Sequence, residues 1–338
     1  MSVCKLKPRR PPALTSYKLM QGQDTDQSMT IQRPKSRFAE QLRLWLELIR
    51  PHQWSKNLLL FAPALTSFSI FDARAISLTL MAILAFSCAA SAGYVLNDLI
   101  DLPADRDHPR KKFRPLASGR INATTAKKIG VALLAPALAI AYATSADFLL
   151  LIILYLILTT TYSLALKKLF LLDAMTLAVL YFLRISAGAA AIGVPLSTWL
   201  IGFALSLFFS LALMKRCSEL VYFRSLNQSR LPGRAYYERH LPLLWVIGIC
   251  SAATATTTFC LFAGDPAATA PYASPKLLWI VAALLLTWLG GLWAATYFGK
   301  MEIDPSLYVF RRKWSLFCIG TILALTLLAQ EATAGLSL

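Results

Sequence analysis

The 338-residue sequence is poor in charged residues, since Asp, Glu, Lys and Arg together make up only 15% of it. With 57% apolar residues and a mean hydropathy of +0.56, it is too apolar for a soluble protein of this length. Its three histidines have no Ser or Cys nucleophile beside them in a recognisable motif, so the sequence offers no basis for triad catalysis. The six cysteines include no C-x-x-C pair, which argues against a zinc site and against disulfides.

Long apolar runs occupy most of the chain and predict an all-α, polytopic membrane protein. They indicate about nine membrane-spanning helices, of which the first is short and contains Pro63. Residues 1–40, rich in Lys, Arg, Pro, Gln and Ser, are predicted to form a disordered basic tail ahead of a transmembrane domain at residues 41–335. The predicted spans are 57–72, 76–96, 129–146, 147–166, 171–193, 197–214, 241–263, 276–298 and 314–331.

The basic residues are distributed unevenly between the two sides of the predicted membrane. All but three of the 34 Lys and Arg residues fall in the N-terminal segment and in loops on the same side. Arg74 and Lys276 fall on the other side, and Arg184 lies within a span. The positive-inside rule therefore predicts a cytoplasmic N-terminus. The net charge of +17 predicts contact with anionic lipids and phosphorylated substrates rather than with nucleic acid.

A cluster of acidic residues directly follows the second predicted span, where four of the 17 acidic residues fall within ten positions. Asp98, Asp101 and Asp105 follow the spacing i, i+3 and i+7. Asn97 precedes Asp101 by one helical turn and Asp105 by two, so a continuing helix brings all four side chains to one face, unless Pro103 breaks it. Carboxylates this close repel one another, and Mg²⁺ is the natural ion to neutralise them.

Basic residues, among them Lys111 and Arg114, follow the acidic cluster closely. Such residues suit phosphate groups, and Mg²⁺ commonly shares its coordination between carboxylates and phosphate oxygens. We therefore predict that this segment binds a metal-chelated diphosphate at the membrane boundary. The alternative interpretation is an ordinary solvated loop.

Arg184 is the one basic residue placed in the interior of a predicted span, since Lys276 stands at the first position of its span. An ionisable side chain is costly there and is a functional candidate for that reason. The alternative is a structural pairing with Asp173, which lies about three helical turns earlier.

The acidic segment, N-D-x-x-D-x-x-x-D followed by H-P-x-K-x-x-R-P, resembles the first aspartate-rich motif of the UbiA prenyltransferase superfamily. Upstream, R-P-H-Q-W-S-K-N at residues 50–57 is similar to a segment of one branch, the decaprenyl-phosphate phosphoribosyltransferases. The resemblance covers about residues 42–330 and implies a nine-helix bundle. Further residues that resemble this branch in order and spacing are Tyr162, Ser163, Lys167, Asp173, Arg184, Ala187, Gly188, Ala189, Lys215, Arg216, Glu219, Asp304, Pro305, Phe310 and Arg311.

The resemblance implies Mg²⁺-dependent transfer of 5-phosphoribosyl from phosphoribosyl diphosphate to a polyprenyl phosphate. The product would be a lipid-linked precursor of D-arabinosyl donors for the cell envelope or for nodulation signals. The protein is expected in the bacterial inner membrane, with its active site facing the cytoplasm and in an oligomeric state that the sequence does not define. The implied metal ligands are Asp98, Asp101 and Asp105 with Asn97, the phosphate-binding residues are Lys111, Arg114, Lys167 and Arg184, and the lipid-phosphate residues are Arg50, Gln53 and Lys56. The remaining implied substrate-binding residues are Tyr162, Asp173, Lys215, Arg216 and Arg234.

The second aspartate motif departs from the pattern of the prenyltransferases. Theirs often reads D-x-x-x-D, whereas Asp173 is followed four positions later by Leu177. This favours one Mg²⁺ site opposed by basic groups, and hence the phosphoribosyl branch. The alternative is a prenyltransferase that moves a prenyl group from prenyl diphosphate to an aromatic acceptor.

Two further alternatives remain open. Arg50 and Lys56 are interpreted either as ligands of the lipid phosphate or as cations that anchor the helix at the membrane interface. The basic segment 215–240 is interpreted either as a cap over the diphosphate or as a topology signal. A transporter is disfavoured because the charges gather on one side of the membrane.

Overall fold

The computed structural model describes residues 37–107, 111–301, 308, 309 and 311–330. Within this part of the chain, helices account for all regular structure apart from one isolated bridge between Arg230 and Tyr237. Most of the predicted tail lies outside the described residues, as do five residues of the family resemblance, namely His108, Pro109, Asp304, Pro305 and Phe310.

Twelve α-helices form the described part of the chain, and eight of them are long and apolar enough to cross a membrane. These eight are α3, α5, α6, α7, α8, α9, α11 and α12, and they confirm eight of the predicted spans. The helices are α1 (Arg37–Ile49), α2 (Ala62–Thr66), α3 (Ala73–Ile100), α4 (Leu102–Asp107), α5 (Ala123–Thr144), α6 (Ala146–Leu164), α7 (Leu172–Ile192), α8 (Thr198–Ser225), α9 (Leu241–Gly264), α10 (Pro266–Thr269), α11 (Lys276–Tyr297) and α12 (Lys313–Gln330).

The first predicted span, 57–72, does not form a long α-helix. A 3₁₀ helix, Pro51–Phe61, runs directly into the short helix α2, and the chain turns away after Thr66. Because a 3₁₀ helix rises about 2.0 Å per residue and an α-helix about 1.5 Å, this stretch extends roughly 30 Å. That length is comparable to a hydrocarbon core of about 30 Å. The stretch is thus long enough to match the predicted first span, but it is not among the eight helices that are long and apolar enough to cross a membrane.

Two other predicted boundaries were wrong by more than five residues. Helix α8 continues to Ser225, eleven residues past the predicted end at 214, because Cys217 and Leu220 continue its buried apolar face. Helix α5 starts at Ala123, where the side chain of Asn122 caps it by accepting a hydrogen bond from the Thr125 backbone N–H at 2.7 Å. The predicted span began later, at residue 129, because the charged residues in the first turns of α5 lower the local hydropathy.

Helices α3 and α7 are the most enclosed of the eight long helices. In each of them, 56% of an 18-residue apolar stretch is buried. Small residues allow this close packing, and Gly188 of α7 is the clearest case. A Cβ at Gly188 would stand only 2.2 Å from the Leu60 carbonyl oxygen of the 3₁₀ helix. The C-terminus of α3 meets the connection between α6 and α7 through the Asp101–Lys167 ion pair, and we call this end of the bundle, where α3 ends and α7 begins, the charged end.

Candidate functional site

The acidic cluster lies where α3 passes into α4. Asp101 caps the end of α3, and its carbonyl accepts a hydrogen bond from the Asp105 backbone N–H at 2.8 Å, so the helical path continues with little interruption. Pro103 lies in the first turn of α4, a position where the missing backbone N–H of proline is tolerated. Asp98 and Asp105 therefore converge on one point, as their spacing predicted, whereas Asp101 pairs with Lys167 at 3.2 Å.

Cations already compensate the two buried carboxylates of this cluster. One nitrogen, Arg114 Nη1, lies 3.2 Å from Asp98 Oδ1 and 2.6 Å from Asp105 Oδ2. Lys111 Nζ approaches Asp105 Oδ1 at 3.5 Å. The side chains of Asp98 and Asp105 are each only 4% exposed, so burying their two negative charges would be costly without these cations.

Arg50 supplies a further cation by means of an unusual backbone turn. Its φ of 54° and ψ of 59° lie in the left-handed region, which a non-glycine residue adopts at a cost. This turn separates α1 from the 3₁₀ helix and directs the guanidinium to both carboxylate oxygens of Asp98, at 2.6 and 2.9 Å. The guanidinium also lies 5.4 Å from the centre of the Tyr94 ring. Arg50 thus faces the bundle, and this contact favours a role in the site over interfacial anchoring.

Lys56 and Gln53 follow Arg50 on the same 3₁₀ helix. Lys56 Nζ lies 5.9 Å from the centre of the Tyr181 ring on α7, so it also faces the bundle rather than the interface. Gln53 is half-buried one turn after Arg50, and its backbone N–H donates to the Arg50 carbonyl at 2.9 Å. The three lipid-phosphate residues implied by the resemblance therefore lie on consecutive turns at the charged end.

A second cluster surrounds Asp173 in the first turn of α7. Its carboxylate accepts hydrogen bonds from Arg216 Nε at 2.5 Å, from Tyr162 Oη at 2.9 Å and from Arg234 Nη1. Arg216 also pairs with Glu219 one turn later on α8. Asp173 is fully buried, so the structure does not support the expectation that it contacts substrate directly. We assign it instead as a positioning residue that holds two arginines.

The segment that contains Arg234 is docked on this second cluster. Tyr236 is fully buried, and its ring packs 5.3 Å from that of Phe170 and 6.0 Å from the Arg216 guanidinium. Burial, together with the nearby carboxylate of Asp173, raises the pKa of Tyr236, so its phenol stays neutral. Residues 226–237 are thus fixed to the charged end, whereas Lys215 is half-buried on α8 itself.

Arg184 is buried deep in α7 and does not pair with Asp173. Its Nε donates to Asn57 Oδ1 at 3.1 Å and its Nη2 to Tyr155 Oη at 3.2 Å, and its Nη1 donates to the Leu180 carbonyl. The guanidinium also lies 5.0 to 5.4 Å from the centres of three aromatic rings, which contribute cation–π attraction. The structural-pairing alternative for Arg184 is therefore wrong.

Sequence reasoning assigned no role to two partners of Arg184. Asn57 and Tyr155 are polar side chains within apolar runs, and both are almost fully buried. A search for isolated polar residues in the predicted spans would have found them, because such residues need a partner in the membrane interior.

The acidic cluster fits a divalent cation that shares its coordination with a ligand. Within the described ranges, no three Asp, Glu, His or Cys side chains lie close enough to hold a metal ion. Mg²⁺ typically uses only one or two carboxylates, however, and completes its octahedron with phosphate oxygens and water. Asp98 and Asp105 converge on one point, and Asn97 Oδ1 beside them is buried without a hydrogen-bond partner in the described part of the chain.

Comparisons with known proteins agree with this description. A family model described as the UbiA prenyltransferase family matches residues 58–317. Uncharacterized protein y4nM of Sinorhizobium fredii is 35% identical over 83% of this chain, which spans only 54% of that longer relative. Nodulation protein NoeC of Azorhizobium caulinodans is 31% identical over 84% of this chain and 92% of its own length. Decaprenyl-phosphate phosphoribosyltransferase of Mycobacterium tuberculosis is 33% identical over 60% of this chain and 68% of its own.

A likeness to solved structures extends over most of the chain. The structure of a UbiA homolog from Archaeoglobus fulgidus bound to GPP and Mg²⁺ superimposes with a TM-score of 0.60 at 18% identity. The match covers 87% of this chain and 100% of that one. At this identity the likeness shows the fold.

Proposed function

Because the chain belongs to the UbiA prenyltransferase family, we propose that it is a membrane transferase acting at the charged end. The proposed reaction is Mg²⁺-dependent transfer of 5-phosphoribosyl from phosphoribosyl diphosphate to a polyprenyl phosphate. The observation that carries this choice is the state of Asp173, whose carboxylate is bonded to two arginines and a tyrosine. Where the second motif reads D-x-x-x-D, its carboxylates are expected to bind a second metal ion. The Asp173 carboxylate already accepts hydrogen bonds from these three side chains, so it is not available as a ligand for such a metal.

The reaction needs alignment and charge stabilisation rather than a general base. A polyprenyl phosphate is already anionic at neutral pH, so its oxygen attacks C1 of the ribose directly and inversion at C1 is expected. Mg²⁺ held by Asp98 and Asp105 would neutralise charge on the departing diphosphate, and Asp101 would hold Lys167 beside the same diphosphate. Arg114 and Lys111 lie beside these carboxylates and supply hydrogen-bond donors to the same diphosphate.

The remaining residues bind and orient the two substrates. Lys167 extends from the α6–α7 connection towards the acidic cluster, so it is suited to a phosphate on the far side of the diphosphate. Arg50 and Lys56, with Gln53, are assigned to the lipid phosphate, and Arg184 extends the positive charge further into the bundle. The apolar chain of the lipid then lies along the membrane-facing helices. Asp173 positions Arg216 and Arg234, and Tyr162 donates a hydrogen bond to the same carboxylate. Lys215, on α8 next to Arg216, is assigned as a further substrate-binding residue.

The proposed location follows from charge. The excess of Lys and Arg at the charged end predicts that it faces the cytoplasm of a bacterium, where phosphoribosyl diphosphate is available. The relative named as a nodulation protein supports a role in nodulation, and the relative named as a decaprenyl-phosphate phosphoribosyltransferase supports a lipid-linked phosphoribose. That this product feeds arabinosylation of nodulation signals or of the cell envelope is part of the proposal.

A direct assay tests the proposal. Purified protein in nanodiscs is incubated with labelled phosphoribosyl diphosphate, polyprenyl phosphate and Mg²⁺, and labelled lipid is extracted. Label in the lipid fraction that is lost with Asp101→Asn and kept with Asp147→Asn, an exposed residue at the start of α6, supports it. No labelled lipid from the wild type, together with prenyl transfer from prenyl diphosphate to an aromatic acceptor, would establish the alternative reaction.

A further inference from the structure

The position of Arg114 within the acidic cluster carries a consequence for ligand binding. A single nitrogen of this residue, Nη1, bonds to Asp98 and Asp105 at 3.2 and 2.6 Å. This is the point on which the two buried carboxylates converge. The Arg114 guanidinium therefore occupies the place of a cation that both carboxylates would share.

We propose that Arg114 is a built-in counter-ion that keeps the metal position occupied until a diphosphate binds, so the site takes a divalent cation and a diphosphate as one unit. The inference rests on the proposed function only in requiring a diphosphate ligand. It extends that function by making the binding of the two ligands interdependent.

Electrostatics favours a cation at the point that the two carboxylates share, in addition to Arg50 on Asp98 and Lys111 on Asp105. Asp98 and Asp105 are almost fully buried, and two ionised carboxylates there are stable only when compensated. If a divalent cation arrived alone, Arg114 would lose both carboxylate partners and keep its charge in a partly buried position. A diphosphate removes this penalty, because its oxygens accept the paired N–H groups of a displaced guanidinium.

Arg114 is better placed for such an exchange than the other cation on Asp98. Arg50 binds both oxygens of Asp98 from a fixed left-handed turn between two helices. Arg114 instead lies on the connection between α4 and α5, directly after the short 3₁₀ turn Lys111–Phe113, and its side chain is 29% exposed. A rotamer change of that side chain is sufficient to release the two carboxylates.

The test measures binding rather than turnover. Full-length protein in nanodiscs is dialysed against Mn²⁺ at buffered free concentrations, with and without inorganic diphosphate, and bound Mn²⁺ is read by electron paramagnetic resonance. We expect diphosphate to tighten Mn²⁺ binding by about tenfold or more, and Mn²⁺ to tighten diphosphate binding by the same factor, as linkage requires. Equal Mn²⁺ affinity with and without diphosphate overturns the proposal.

Arg114→Gln separates an exchange of partners from a general electrostatic effect. We expect this variant to bind Mn²⁺ alone more tightly than the wild type and to show a coupling factor reduced by about tenfold. An arginine that contributed only its charge would change each affinity and leave the coupling factor unchanged, and that result refutes the exchange. Arg120→Gln is the matched control, because Arg120 lies on the same connection and contacts the Phe113 carbonyl rather than the acidic cluster.

Misfolding and a wrong reaction assignment remain distinguishable from failure of this inference. If Arg114→Gln shows no cooperative thermal unfolding transition, it is misfolded, and Arg114→Lys is tested in its place. Lysine keeps the charge but lacks the planar fork, so reduced coupling supports the exchange and wild-type coupling refutes it. The dialysis contains neither ribose donor nor lipid, so a negative transfer assay with intact coupling would refute the proposed function and leave this inference standing.

Discussion

The contrast between Asp173 and Asp101 leads to a prediction about which carboxylate maintains the fold and which serves the reaction. Asp173→Asn and Asp101→Asn each remove one negative charge with almost no change in shape. We expect the first to destabilise the protein strongly and the second to abolish transfer with little effect on stability.

The expected magnitudes follow from burial. Arg216 and Asp173 are 1% and 0% exposed, and removing one partner from such a buried pair costs about 3–5 kcal/mol. The Asp101–Lys167 pair is 21% and 23% exposed, so solvent screens it and its loss costs about 1 kcal/mol or less. The two substitutions should therefore differ by several degrees in melting temperature.

Two readouts in nanodiscs check this prediction. The melting temperature is followed by intrinsic fluorescence, and limited trypsin digestion reports on the docked segment 226–237, which carries Arg230 and Arg234. We expect Asp173→Asn to expose this segment to trypsin, because Arg234 loses its carboxylate partner. Asp147→Asn is the control for both measurements. Wild-type melting and trypsin resistance in Asp173→Asn, combined with lost transfer, would refute the positioning role and restore Asp173 as a direct ligand.

Three further outcomes are expected. Gly188→Ala should lower the melting temperature clearly, because its Cβ meets the Leu60 carbonyl of the 3₁₀ helix at 2.2 Å, whereas Gly320→Ala, with no atom within 4 Å, should be neutral; equal effects would contradict the close packing of α7. Arg184→Lys should cost about 1–3 kcal/mol in thermal unfolding, since lysine cannot bond to Asn57 and Tyr155 in the same geometry; unchanged stability would contradict this. Removal of divalent cations by EDTA should abolish transfer reversibly without changing the melting temperature, because the described residues include no cluster of three or more potential metal ligands. A large drop in melting temperature would argue for a structural ion.

Hydropathy and local spacing were sufficient for the membrane architecture and for the convergence of Asp98 with Asp105. Both are properties of neighbouring residues on one element, where the helical repeat fixes which side chains meet. The 3₁₀ geometry of Pro51–Phe61 was not predictable in this way, because it depends on packing against a helix far along the chain. No local pattern encodes the contact at Gly188.

The long-range contacts explain the remaining misassignments. Arg184 bonds to Asn57 across 127 positions, and Arg234 bonds to Asp173 across 61. A sequence pattern can mark Arg184 and Asp173 as unusual, but it cannot choose their partners, which are set by how the helices pack. This is why the alternative Arg184–Asp173 pair was wrong, while the proposed roles of the two residues in the site stay predictions.

The exposure of the cations, rather than the number of carboxylates, distinguishes the two acidic centres. Every cation on the first cluster is between 21% and 42% exposed, so each can exchange a carboxylate for a phosphate oxygen without leaving water entirely. Arg216 on Asp173 is almost fully buried and cannot make that exchange without exposing an unpaired charge to the bundle interior. Arg234, the other arginine on Asp173, is 24% exposed, but the buried Arg216 keeps the Asp173 carboxylate occupied. This difference favours the first cluster as the proposed place for a metal-bound diphosphate.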